Sequence, residues 1–202
     1  MNSPLRITLN TSPEQAQRLA ELQAAFAQVC NALAPLVQQN RLWHRVTLHH
    51  LAYHPLRQQF PQMGSQMVCN AIYSVSRTAR LVFQHPASPF HISRLQDKPL
   101  PLLQFAETCP VYFDRHTLSI KNGSLSLYTL DGRMRFLLSL SEQDERNFHQ
   151  QKLRELVLSR RRDGAFELAF WFGESQDEES GKSAATPAQI AFPEYLKVET
   201  AA

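Results

Sequence analysis

Residues 110–138, PVYFDRHTLSIKNGSLSLYTLDGRMRFLL, decide how the chain folds. Apolar and polar residues alternate in short runs, and turn formers separate the runs: Asp114-Arg115, Asn122-Gly123 and Asp131-Gly132. Asn-Gly and Asp-Gly between alternating stretches are the strongest short-range signal for two-residue hairpins. The stretch therefore predicts strands at Pro110–Phe113, His116–Ile120, Ser124–Leu130 and Arg133–Leu140, in antiparallel order. On the last of these, Arg133 and Arg135 lie two apart and point to one face.

Working outward, Ser141–Lys152 reads as a short helix, and Leu153–Ser159 with Ala165–Phe172 as one more hairpin across Arg162-Asp163-Gly164. Upstream the period changes. Leu5–Leu9 alternates like a strand, but it is too short to stand alone and is expected to join the later sheet. Asn10-Thr11-Ser12-Pro13-Glu14 opens a helix, and Leu19, Leu22, Phe26, Val29 and Leu33 carry its apolar stripe to about Pro35. A second helical piece, LHHLAYHPLRQQF, is interrupted or bent by Pro55. A third helix runs from Gly64 to about Phe83.

The expected class is α+β: a small antiparallel β-barrel with a helical lobe inserted after its first strand. Residues 1–11 and 109–173 form the barrel, 12–83 the lobe and 84–108 a connector with little regular structure. The polar stretch that opens 174–202 predicts a disordered acidic tail.

Charge is distributed unevenly along the 202 residues. After residue 173 there are six acids and two bases, so of a net +3 the first 173 residues carry +7. No Asp or Glu occurs between Glu21 and Asp97, a segment that holds six arginines from Arg41 to Arg94. An acid-free run with scattered arginines is the footprint of a protein that meets phosphates. On the third helix, Gln66, Asn70, Tyr73, Arg77 and Arg80 are spaced four, three, four and three apart, which draws one stripe of amides, bases and a ring. Arg77 and Arg80 suit phosphates, Gln66 and Asn70 suit an adenine edge, and Tyr73 can stack on a base. The same stripe would equally pack on the first helix or on the barrel, with Tyr73 as a core edge. Arg133 and Arg135, the hairpin-tip Arg160, Arg161 and Arg162, and Trp43 as a stacking residue complete the nucleic-acid set. A basic tip is also commonly just solvated, and a Trp at a helix junction is commonly a core anchor.

Enzymatic readings find less. His50 and His54 are four apart and would share a face if the helix survives Pro55, as in metal-independent RNA cleavage by two histidines. His54 precedes a proline, which disfavours helix there. The glycines are isolated, so no phosphate loop is present, and neither G-x-S-x-G nor H-E-x-x-H occurs. Cys30, Cys69 and Cys109 lack C-x-x-C spacing and read as buried thiols, not as a disulfide framework or zinc site. No metal or cofactor is expected. No apolar run reaches the length of a membrane span, and the first residues lack a signal-peptide layout, which makes the cytoplasm the default compartment.

Four stretches together, LRITLNTSPEQ (5–15), FPQMGSQMVCNAIYSVSRTARLVF (60–83), PVYFDRHTLSIKNGSLSLYTLDGRMRF (110–136) and KLRELVLSRRRDGAFELAFWF (152–172), carry a resemblance. The chain resembles the N-terminal half of the TnpB transposon-encoded proteins, RNA-guided nucleases related to type V CRISPR effectors. The resemblance implies a wedge barrel split by a recognition lobe. It also implies that the stripe on the third helix and the arginines of the barrel side contact guide RNA or target DNA. In that family a RuvC-like nuclease follows the last barrel strand; here GESQDEESGKS stands in its place. The expectation is a non-catalytic binding module for RNA, and for DNA as well, working beside effector subunits and away from membranes. An endoribonuclease using His50 and His54 and a protein-interaction scaffold are the alternatives.

Overall fold

The computed structural model describes residues 4–138, 140–173 and 190–200. Among the described residues the fold is α+β, with five helices and three antiparallel sheets, and it divides into two compact units. The division falls inside the first helix, after Gln23, and again after Cys109.

The first unit holds strand β1 (Leu5–Thr8), the start of helix α1 (Pro13–Asn40) and everything described from Pro110 to Gly173. Strands β3 (Val111–Phe113), β7 (Leu153–Arg160) and β8 (Phe166–Phe172) form a four-stranded sheet with β1 in the order β1-β8-β7-β3. The N-terminal strand thus joins the late hairpin as expected, with Leu5 opposite Phe170 and Ile7 opposite Leu168. Strands β4 (Leu118–Lys121), β5 (Ser124–Thr129) and β6 (Gly132–Leu137) form a separate meander. Its first turn is Asn122-Gly123, both residues at positive φ (51° and 69°), the backbone that Asn and Gly tolerate best. Neither sheet is closed into a barrel among the described strands.

Alternation assigns the two faces of the meander. Leu118, Ile120, Leu125, Leu127, Met134 and Phe136 are buried, and their neighbours along each strand face outward. The short helix α5 (Glu142–Gln150) starts at Ser141, whose hydroxyl accepts the N–H of Asp144 at 3.1 Å. Its one buried residue, Phe148, meets Phe170 edge to face at 6.0 Å.

The second unit contains the rest of α1, helices α2 (Arg45–Gln59) and α3 (Ser65–Phe83), a helical turn α4 (Ile92–Leu95), and strands β2 (Leu102–Phe105) and β9 (Leu196–Glu199). Two expectations are corrected here. The connector contains β2, and the segment expected to be an unstructured tail contributes β9, with Leu103 opposite Val198 and Phe105 opposite Leu196. The alternation in LKVE is only four residues long, below what periodicity alone can register. The remainder of that expected tail, residues 174–189, lies outside the described residues.

Both prolines expected to end or break helices are accommodated, Pro35 within α1 and Pro55 within α2. A mid-helix proline strands the carbonyl four residues earlier. Here those carbonyls belong to Asn31 and Leu51, both exposed residues.

Candidate nucleic-acid interface

Helix α3 is the most buried element of its unit, with twelve of its nineteen residues in the interior. Small side chains (Ala71, Ser74, Ser76, Thr78, Ala79) let neighbours approach it from several sides. The proposed stripe is therefore not one open face. Asn70 is only 6% exposed, and its amide lies against Met67 Sδ at 4.0 Å, so it is withdrawn from any surface ligand. Gln66, Tyr73 and Arg80 are half-buried, and Arg77 alone of the five is exposed. The guanidinium of Arg45 sits 5.0 Å over the Tyr73 ring, which makes a cation–π contact where a base was expected to stack.

Trp43 is likewise engaged. It is half-buried against Phe83 at 5.3 Å, and its carbonyl accepts the Ser76 hydroxyl at 2.6 Å. The arginines of the β7–β8 turn are partly taken up in holding it. Arg160 lies 5.7 Å over Phe166 and donates to the Gly164 carbonyl, while Arg161 pairs with Asp163 at 2.8 Å. Arg162 is exposed at the same tip.

The outward face of the β4–β5–β6 meander is different. Ser119, Lys121, Asn122, Ser124, Ser126, Arg133 and Arg135 line a shallow groove of about 520 Å³. The register sets their layout: Ser119, Ser126 and Arg135 form one row, Lys121, Ser124 and Leu137 the next, and Tyr128 pairs with Arg133. Cations thus stand on both outer strands, with serines between them. Arg133 is fixed by bonds to the carbonyls of His116 (2.8 Å) and Ser126 (3.3 Å) and lies 5.9 Å over Tyr128. Lys121 and Arg135 make no side-chain hydrogen bond or ion pair among the described residues.

Among the described residues no acid lines the groove, and two acids of the same unit are occupied elsewhere. Glu145 accepts the backbone N–H groups of Asn122 (2.6 Å) and Gly123 (3.0 Å). Asp131 accepts from Arg18 at 2.6 Å and from the Thr129 hydroxyl at 2.8 Å, and these bonds hold its carboxyl below the ordinary value. Sequence reasoning reached Arg133 and Arg135 but missed Lys121 and the serines. The same alternation, followed along β4 and β5, would have found them.

The histidines of α2 fall together because the helix continues through Pro55. His50 and His54 are both exposed, one turn apart. His49 stacks on Tyr53 at 4.8 Å, and its Nε2 lies 3.6 Å from Cys69 Sγ. No disulfide joins the cysteines; Cys30 and Cys109 are buried and Cys69 half-buried. Burial, and then the neighbouring Cys109, push the Cys30 thiol well above its usual value. Among the described residues no three His, Cys, Asp or Glu side chains are gathered as a metal site, and no helix is long and apolar enough to cross a membrane.

Comparison with protein-family models gave no match, and comparison with curated proteins gave none either.

Proposed function

We propose that this chain is a nucleic-acid-binding protein that holds RNA, with DNA as a second target, and does not cut it. The observation that carries this reading is the groove of the meander, which no acid lines among the described residues, with Lys121, Arg133 and Arg135 on its outer strands. Such a set supplies salt-dependent phosphate affinity through counterion release. The acid-free α2–α3 segment supports the reading independently, with Arg77 and Arg45 exposed on it. The TnpB-like pattern of the sequence adds the context: a subunit of a CRISPR- or transposon-related ribonucleoprotein whose effector activity resides in other chains. On that reading the four- and three-stranded sheets are the two parts of a wedge-like barrel, and α1 to α3 are its recognition lobe.

The test is to purify the protein at moderate salt and sequence the nucleic acid that accompanies it, beside the K121E/R135E variant. A discrete RNA that is lost with the variant is the expected result. Clean protein without nucleic acid at low salt would overturn the reading.

A second reading is favoured by one observation, the uninterrupted α2 that sets exposed His50 and His54 one turn apart. Under it, one imidazole takes a proton from a ribose hydroxyl and the other gives one to the leaving oxygen. His50→Ala would then abolish RNA cleavage and spare binding. Under the first reading there is no cleavage to lose.

A further inference from the structure

We propose that the groove on β4–β5–β6 is a site for single-stranded RNA, which deepens the nucleic-acid reading above and rests on it. The first argument is width. Neighbouring strands lie about 4.8 Å apart, so the outer strands β4 and β6 are separated by roughly 10 Å. A single sugar-phosphate chain fits between Lys121 and the two arginines, with both sides of its backbone in reach of a cation.

The floor is the second argument. Ser124 and Ser126 stand on the central strand between the cations and Ser119 beside Lys121 on β4, short side chains that leave the groove open. Each hydroxyl both donates and accepts. Hydroxyls at the level of the ribose are suited to the 2′-OH, the group by which a protein tells RNA from DNA.

Length and polarity follow from the register. Lys121 and Arg133 occupy diagonal corners, two strands apart and four residues along, since Lys121 pairs with Ser124 and Arg133 with Tyr128. That diagonal is roughly 17 Å between backbones. At about 3.4 Å per stacked nucleotide it accommodates about five nucleotides, and fewer if the strand is stretched. At the Arg133 end, Tyr128 is 38% exposed with the Arg133 guanidinium 5.9 Å over its ring, and the last base stacks on this arginine–tyrosine pair. Arg133 is already fixed by its carbonyl bonds, so it loses little freedom when it meets a phosphate.

The experiment uses the full chain and fluorescein-labelled probes: a twelve-nucleotide oligouridine, the matching oligothymidine, and twelve-base-pair RNA and DNA duplexes. Anisotropy titrations run across a salt series. Oligouridine is expected to bind at least fivefold tighter than either duplex. Lys121→Ala and Arg135→Ala should each flatten its salt slope by about 0.7. Tyr128→Leu should weaken oligouridine about fivefold or more and leave duplex binding unchanged. Replacing Ser119 and Ser124 with Ala should erase the preference for oligouridine over oligothymidine. A duplex bound as tightly, with the same variants lowering its slope, overturns the single-strand assignment and leaves nucleic-acid binding standing. Oligouridine binding that none of these variants alters removes the site from this face. No binding by any probe at low salt overturns both readings. Thermal melts of each variant separate lost contact from lost fold.

Discussion

The carboxylate of Glu145, on α5, accepts the backbone N–H of Gly123 at 3.0 Å, and that of Asn122 beside it at 2.6 Å. Two consecutive donors in a left-handed turn form a small anion-binding concavity, filled here from within the protein. Glu145 thus ties helix α5 to the β4–β5 turn and fixes one end of the groove.

Glu145→Ala should cost about 1–3 kcal/mol, because two N–H groups lose a charged acceptor. Glu145→Gln should cost less, since the amide oxygen still accepts one bond. Urea denaturation of both variants measures this. Equal stability of Glu145→Ala and the parent would show that water replaces the carboxylate without penalty.

Asp131 supplies a pH dependence. Its folded pKa is lowered, first by the Arg18 hydrogen bond and then by that of Thr129. The lowered value means the carboxylate stabilises the fold above the ordinary aspartate value of 3.8, and that contribution disappears as pH falls through the lower, folded value. Asp131→Asn should therefore narrow the stability gap between pH 7 and pH 3. Melting curves at the two pH values read it, and an unchanged gap would rule the pair out as a contributor.

Asn70 separates burial from recognition. As an interior residue whose amide lies against Met67, it should act on stability alone. Asn70→Ala is expected to lower stability by about 1–2 kcal/mol and leave RNA affinity unchanged. A tenfold loss of affinity in a variant of unchanged melting temperature would instead return the α3 stripe to the interface.

The cysteines offer a check on the packing of α1 to α3. Cys30 and Cys109 are buried, and burial keeps the Cys30 thiol protonated. Cys69 is half-buried beside His49. Iodoacetamide on the native protein should label Cys69 first and reach the other two only on unfolding. Peptide mapping by mass spectrometry distinguishes the three, and early labelling of Cys30 would contradict the helix packing.

Much of the fold was legible because turn chemistry is local. Asn122-Gly123 and Asp131-Gly132 announced the meander, and alternation placed Arg133 and Arg135 on one face. What was not legible depends on context. Asn70 looked like part of a surface because it is polar, but polarity does not distinguish a solvated position from an interior one. The absence of any charge from Ser65 to Ser76 was the available signal of a central helix. Pro35 and Pro55 looked like helix breaks because a sequence does not show whether packing on both sides will carry a helix through a proline. β9 depends on β2, 91 residues away along the chain at their closest pairing, so no local window contains its reason for being a strand.

The placement of β6 has a consequence for handling the protein. It is an outer strand of its sheet among the described strands, and its last residue, Leu137, is 91% exposed. Gln15 of α1 reaches this edge and donates to the Arg135 carbonyl at 3.4 Å, so it is the part beyond, ending in Leu137, that invites another chain to add itself as the next strand. Arg133 and Arg135 repel such a copy, so the residues offered to phosphate also keep the protein from polymerising along its own edge. Alanine at both positions should raise light scattering at high concentration, and high salt, by screening the repulsion, should do the same to the parent protein.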